Sequence, residues 1–294
     1  MRLAYFPGCK ISFFLKSYGQ AVEGVMAALG VTLVKLPFNC CGNPARGKNL
    51  TASVLSAMKN LAMAEHHGLD ILTPCKCCFG QPKHGRYWYE TQENLREKID
   101  RSLSEEGFVF KGRDLIQDTK TNRLQYRAVR IRHLLDFCYH DLGVQTLESR
   151  ISEPLPGHKI ALQQGCHALR PFSVTQFDNP FTPTIFRDLI GLTGLRPMAW
   201  SKETECCGSP ASETNQDLSL RMRYSKQASA RREGAEYIST ACTHCQIQYG
   251  QIPGESTQKD LNKKVIQAVP FAVFLGAALG IKGRVFESWK SAGD

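Results

Sequence analysis

Short apolar runs alternate with stretches whose apolar residues recur every three or four positions. The runs are Leu3-Ala4-Tyr5-Phe6, Asp70-Ile71-Leu72-Thr73, Ile160-Ala161-Leu162 and Tyr237-Ile238-Ser239, and each reads as a short strand. Helical spacing covers residues 22–29 and 52–67, then 183–192 and 218–233. Strands alternating with helices predict βαβ units and a parallel sheet, in an α/β fold. A further helical pattern spans 127–142, and Pro154-Leu155-Pro156-Gly157 marks a boundary, which predicts domains at 1–150 and 151–294. The one long apolar run, 265–281, contains Gln267, Pro270 and two glycines. It falls short of the roughly 20 residues needed to cross a bilayer. Within it Pro270 opens a helix whose Phe271, Phe274, Leu275 and Ala278 share one face. Such a face suits core or subunit packing, with an interfacial membrane helix as the alternative.

Composition changes this picture little. Of 294 residues 42% are apolar and 22% charged, as in ordinary globular proteins. The net charge of +10 is compatible with an anionic substrate, an acidic partner or an anionic surface. No nucleic-acid module accompanies it, so nucleic acid is not expected. Nor does a Gly-x-Gly-x-x-Gly fingerprint open a helix after a strand, so no flavin or dinucleotide is expected on this chain.

The cysteines carry the chemistry. There are twelve, and no secretory leader precedes them. Reduced thiols in a cytoplasmic protein, serving metal or redox chemistry, are therefore the reading. Ten of them form two copies of one pattern. Cys9, Cys40, Cys41, Cys75 and Cys78 correspond in order to Cys166, Cys206, Cys207, Cys242 and Cys245, at offsets of 157, 166, 166, 167 and 167 residues. Flanks repeat as well: Gly8-Cys9 with Gly165-Cys166, and Cys40-Cys41-Gly42 with Cys206-Cys207-Gly208. The cysteines fall at strand ends, where α/β folds place ligands. Structural zinc takes four ligands and would leave one thiol over in each copy. Ferredoxin cubanes use closely spaced cysteines, and here only the last two of each set are close. A larger or opened iron–sulfur cluster suits the count better, with zinc or buried structural cysteine as the alternatives. Cys138 lies in an apolar helical pattern and reads as core. Cys77 aligns with His244 and reads as a neighbour of the cluster, not a ligand.

These residues resemble a known family. The repeated Gly-Cys, Cys-Cys-Gly and Cys75 to Cys78 elements form the twin pattern named after Cys-Cys-Gly. Arg132-His133-Leu134-Leu135-Asp136, Gly165-Cys166-His167-Ala168-Leu169-Arg170-Pro171 and Phe274-Leu275-Gly276-Ala277-Ala278-Leu279-Gly280 resemble the B subunit of heterodisulfide reductase. The resemblance covers nearly the whole chain. It implies two pseudo-symmetric Rossmann-like domains with parallel sheets, holding two noncubane 4Fe–4S clusters. Cys9, Cys40, Cys41, Cys75 and Cys78 would hold one; Cys166, Cys206, Cys207, Cys242 and Cys245 would hold the other. It further implies that a small disulfide or thiol substrate enters between the clusters. Electrons would come from a ferredoxin-type iron–sulfur subunit fed by a flavin subunit. Relatives also serve as an electron-transfer and anchor subunit of an unusual succinate:quinone reductase, which is the competing expectation.

Other residues are weighed in that light. His167, beside Cys166, is placed to donate a hydrogen bond to cluster sulfur, or to pack as a strand-end histidine. His84 and His244 flank the cysteine pairs less closely, and His66-His67 closes a helix. Lys120, Arg123, Arg127, Arg130 and Arg132 form a run with no acid between 119 and 135. It reads either as a dock for an acidic partner or as a solvated helix face.

Overall fold

The computed structural model describes residues 1–112, 129–250 and 266–290, together with the backbone of 115–117 and 124–126. The first half runs β1 (Arg2–Tyr5), α1 (Cys9–Phe14), α2 (Lys16–Ala28), β2 (Thr32–Lys35), α3 (Leu50–His66), β3 (Ile71–Thr73), α4 (Lys76–Thr91) and α5 (Glu93–Glu105). An antiparallel hairpin, β4 (Leu115–Gln117) and β5 (Leu124–Tyr126), leads to β6 (Ile131–His133) and α6 (Leu134–Asp136). A π-helical turn, Phe137–Gly143, and α7 (Val144–Glu148) follow. The second half runs β7 (Lys159–Gln163), α8 (Phe172–Thr175), α9 (Ile185–Leu192), β8 (Arg196–Met198), α10 (Gln216–Arg232), β9 (Tyr237–Thr240), α11 (Thr243–Gly250), β10 (Gln267–Pro270), α12 (Phe271–Ala278) and α13 (Arg284–Glu287).

Each half is built on a four-stranded, all-parallel sheet. The orders are β2-β1-β3-β6 and β8-β7-β9-β10, one topology used twice. Repetition extends to the caps. Asn49 Oδ1 accepts from Ala52 N at the start of α3, and Asn215 Oδ1 from Leu218 N at the start of α10, both at 2.9 Å. These caps satisfy backbone N–H groups that the first turn leaves free, and both helices run 17 residues.

The helical expectation for 127–142 needs correction. Ile131–His133 is a strand paired with β3, and the helix starts only at Leu134. Ile131 and His133 are buried while Arg130 and Arg132 face outward. That period-two alternation is too short to stand out beside the following helical run. Cys138 is fully buried in the core, as expected.

The halves are tied together by a reciprocal exchange. Helix α12, which ends the second sheet, packs on α2 of the first half. The helical turns after β6 pack on α9, the counterpart of α2. Phe271, Phe274, Leu275 and Ala278 are all fully buried, so the apolar face of α12 is core. No helix among the described residues is long and apolar enough to cross a membrane.

Candidate metal centre

The parallel topology puts the carboxyl ends of β1, β3, β7 and β9 on the side where the two halves meet. Cys9, Cys75, Cys166 and Cys242 follow those ends, while Cys40-Cys41 and Cys206-Cys207 lie in the loops after β2 and β8. Gly42 and Gly208 each close the cysteine pair at φ 89°, the left-handed region. A Cβ at Gly42 would lie 2.4 Å from the Ser53 carbonyl oxygen, and one at Gly208 2.9 Å from that of Ser219. Gly8 lets the backbone approach Cys78: a Cβ there would lie 2.7 Å from its sulfur.

The thiols form two strings. In the first, Cys40 touches Cys41, Cys41 touches Cys78 and Cys78 touches Cys75, with Cys9 beside Cys40. In the second, Cys166 touches Cys206, then Cys207, Cys245 and Cys242 follow in the same order. Cys9 is exposed and Cys40, Cys166 and Cys206 are half-buried, so each string runs from an outer end to a buried inner one. The inner ends meet: Cys75 Sγ and Cys242 Sγ lie 4.0 Å apart.

Electrostatics couple the thiols within each string. Contact with Cys40 and then with Cys78 holds the Cys41 thiol well below its usual range. Cys40 and Cys78 are pushed up, each first by its contact with Cys41. For Cys75 the contact with Cys242 opposes ionisation, while contacts with Cys77 and Cys78 favour it and leave it at about 6. In the second string Cys206 and Cys242 are lowered, while Cys166, Cys207 and Cys245 are raised. Neighbouring thiols thus ionise at one another's expense. Ionising all five in a string requires positive charge among them, which the core of an iron–sulfur cluster supplies. Sulfur-only donors in two five-membered sets, with glycine backbone against them, fit such a group.

Cys77, read from its alignment as a neighbour of the cluster, stands beside the inner ends of both strings. It lies between the strings, close to both Cys75 and Cys242, the three sulfurs falling within 4.8 Å of one another. His167 Nδ1 lies 3.2 Å from Cys77 Sγ and 3.8 Å from Cys166 Sγ. Burial holds this imidazole below its usual range, against the pull of Cys75. His84 turns away, its Nδ1 donating to the Gly80 carbonyl at 2.7 Å. A cleft of about 370 Å³ opens onto this junction. Its lining includes Lys10 with His167, Asn43 with Ser209, Pro44 with Pro210 and Cys77 with His244. Each pair is one position of the repeat seen twice, so the cleft straddles the pseudo-twofold axis.

Sequence reasoning passes over other members. Gln81 Nε2 donates to Ser53 Oγ at 2.7 Å, and Gln248 Nε2 to Ser219 Oγ at 3.0 Å. Ser53 Oγ in turn donates to the Gly42 carbonyl at 2.9 Å. Each Gln–Ser pair braces the loop of a cysteine pair, and their offsets of 167 and 166 residues equal those of the cysteines, a signal present in the sequence. The basic run fares differently. Arg130 pairs with Asp70 at 2.7 Å, and Arg132 donates to Asp136 at 3.0 Å and Asp141 at 2.9 Å. These two are structural cations and not a free dock; Lys120, Arg123 and Arg127 lie outside the described residues.

Comparison with known proteins agrees with this architecture. The family model of the CCG cysteine-rich domain matches residues 3–82 and 160–249. A protein of Archaeoglobus profundus, described as like the B subunit of heterodisulfide reductase, is 28% identical over 84% of this chain and 80% of its own length. The B subunit of the ferredoxin/F(420)H(2)-dependent CoB-CoM heterodisulfide reductase of Methanosarcina acetivorans is 26% identical over 95% and 89%. The membrane anchor subunit of the 8-methylmenaquinol:fumarate reductase of Wolinella succinogenes is 24% identical over 96% and 93%. Among solved structures, a hypothetical protein from Helicobacter pylori shares the fold with a TM-score of 0.67 at 10% identity. That match covers 99% of this chain and 51% of the other.

Proposed function

Because the chain belongs to the CCG cysteine-rich domain family, we propose that it is the catalytic subunit of a heterodisulfide reductase-like complex. In this reading residues 1–150 hold one noncubane 4Fe–4S cluster on Cys9, Cys40, Cys41, Cys75 and Cys78. Residues 151–294 hold the other on Cys166, Cys206, Cys207, Cys242 and Cys245. A disulfide, or a related sulfur substrate, is reduced or formed in the cleft between them. The observation that carries this is the meeting of two matching thiol strings, 4.0 Å apart at Cys75 and Cys242, beneath one cleft on the pseudo-twofold axis.

When bound, the clusters supply electrons on both sides of the cleft and iron sites for released sulfur. The chain supplies the rest. Lys10 places a cation at the cleft for an anionic substrate. His167, neutral through burial, stands beside Cys77 and Cys166 as a hydrogen-bond partner for sulfur. Burial of Cys75, Cys78, Cys242 and Cys245 keeps water from the inner ends. Electrons come from a ferredoxin-type iron–sulfur subunit and, through it, a flavin subunit.

The likeness to the Wolinella anchor subunit favours a second reading, electron transfer in a quinone-linked reductase. Burial of α12 speaks against the run 265–281 as an exposed membrane segment. Anaerobically purified protein tests the first reading. About eight irons per chain are expected, with turnover of a disulfide by an artificial donor. Stoichiometric zinc with little iron refutes the clusters, and menaquinol oxidation without disulfide turnover favours the second reading.

A further inference from the structure

The two thiol strings repeat in geometry but not in the charge around them. At two positions of the repeat, a neutral polar side chain serves the first string and an ammonium serves the second. The first position follows the strand-end cysteine. Thr243, after Cys242, reaches across to the first string and puts its Oγ1 3.1 Å from Cys75 Sγ. Lys76, after Cys75, reaches the other way, and its Nζ donates to the carbonyl of Gln164, which leads into Gly165-Cys166. Gly165 sits at φ 78°, in the left-handed region, and a Cβ there would press on Lys76 Cδ at 2.9 Å.

The second position lies on the long helices. Asn60 on α3 donates to the carbonyls of Asn39 and Cys40, both at 3.2 Å. Lys226 on α10, 166 residues later, donates to the carbonyl of Glu205 at 2.9 Å and to that of Lys202. Asn39 and Glu205 each precede a cysteine pair. The two side chains therefore brace the same loop, one with an amide and one with a charge. Lys76 and Lys226 are both 1% exposed. Among the described residues the other buried Lys or Arg is Arg223, also on α10, and none of the three lies on α3, whose Asn60 braces Cys40. Lys10 and Arg46 of the first half are half-buried near the cleft, where water screens them more. The acids that face the two lysines are shared with other donors. Asp178 accepts from the Thr184 and Ile185 amides, and Glu205 pairs with Lys202 at 3.1 Å. A buried cation acts through a lower effective dielectric than a surface one, so these two dominate the difference between the sites.

We propose that Lys76 and Lys226 set the reduction potential of the second cluster site above that of the first, so that the first electron delivered to the chain resides in the second half. This rests on the cluster reading above. The step is a one-electron reduction by an external donor, with no bond made or broken. Buried positive charge stabilises the added electron.

The test is an EPR-monitored redox titration with dithionite of the cluster-loaded chain. Signals are assigned with Cys9→Ser and Cys166→Ser. The second-half signal is expected to develop at the higher potential. Lys76→Met and Lys226→Met should each lower it at least tenfold in the reduction equilibrium, about 59 mV for one electron. The first-half signal should stay in place, and Lys226→Arg should restore the original value. Equal potentials, the opposite order, or Met variants that shift both signals alike overturn the proposal. If Lys76→Met fails to load iron, Lys226→Met and the order in the unmodified chain still decide. A chain that never binds iron refutes the cluster reading itself, whereas two loaded clusters in the opposite order refute only this inference.

Discussion

Gly80 is where one added carbon should separate stability from catalysis. It lies in α4, three residues after Cys77, and its Cα faces the backbone of His167 in the other half. A Cβ there would come 2.2 Å from the His167 carbonyl oxygen and 3.1 Å from its carbon. A relaxed C···O contact needs about 3.3 Å, so α4 and the loop after β7 must part by roughly 1 Å. The backbone of α4 does not demand glycine here: the repeat places Ile247 at the matching position of α11. Alanine itself favours the helix by about 0.5–1 kcal/mol, and overpacking costs about 1–3 kcal/mol. The net loss of stability is therefore small, roughly 0–2.5 kcal/mol. The geometric effect is larger. Cys75, at the N-cap of α4, moves away from Cys242, and a 1 Å misplacement of reacting groups costs on the order of 100-fold in rate. Gly80→Ala should keep both clusters, since each string lies within one half, yet lose about that factor in disulfide turnover. Gly85→Ala is the control. Its Cβ would lie 2.7 Å from Ala57 Cβ, a contact between α4 and α3 inside the first half. It should cost similar stability and little turnover. Iron content, denaturant unfolding and turnover measured side by side decide the matter. A cluster-loaded Gly80→Ala chain within twofold of normal turnover would refute the reasoning, as would a Gly85→Ala chain equally impaired.

Three further outcomes follow from packing and charge. Arg132→Ala leaves Asp136, with its side chain 8% exposed, without its guanidinium, and Asp141, 15% exposed, with only the more distant Arg130 at 3.6 Å. Because Arg132 is itself a quarter exposed, the loss should be about 2–4 kcal/mol, and a denaturation measurement showing under about 1 kcal/mol would contradict the buried-pair account. His133 is held at about 3 by burial first and by the charge of Lys76 second. Its neutral Nε2–H donates to the Ala241 carbonyl at 2.9 Å, and its Nδ1 accepts from Leu135 N. The unfolded chain binds this proton near pH 6.5 and the folded chain does not. Stability is therefore full above that pH and drains as pH falls toward 3, by about 1.4 kcal/mol per unit. His133→Gln should flatten this dependence in unfolding measurements between pH 7 and 5, and an unchanged slope would exclude His133 as its source. Vesicle flotation should leave the chain in the dense fraction, because the apolar face of α12 is buried against α2; lipid-bound protein would contradict that packing.

The parts of this structure legible from sequence are those written as local periodicity or as spacing. The strand-end cysteines, the helices 50–66 and 216–232 and the parallel sheets all follow from patterns within a few tens of residues. Strand β6 is hidden because three residues of alternation run directly into a helix, and tertiary pairing with β3 decides its state. Cys77 is legible as a neighbour of the cluster, while its place between the strings is not. Its alignment with His244 says that the two positions are equivalent, but not that both face the axis where the copies meet. Lys76 and Lys226 look like ordinary helix lysines in sequence. Only the fold buries them and turns them toward the second string.

The exchange of closing helices explains how two thiol strings can be held at a fixed separation. Helix α2 buries Val22, Val25 and Met26, and the element that covers it, α12, belongs to the other half. Fully burying Phe271, Phe274 and Leu275 contributes about 1.5–3 kcal/mol each, which together rivals the whole stability of an ordinary domain, about 5–15 kcal/mol. The helical turns after β6 cover α9 in the same way. Neither sheet therefore has a complete core without its neighbour, and sliding or hinging of the halves would expose both. His133 adds a polar tie from the end of β6 to the residue before Cys242. An interface held at both ends by swapped helices cannot widen much, so the paired inner cysteines are reached through the cleft lined by Lys10, His167 and His244. Pseudo-symmetry thus gives the site its matched thiol strings, and the breaks in that symmetry, Lys76 against Thr243 and Lys226 against Asn60, give the two sides different electrostatics.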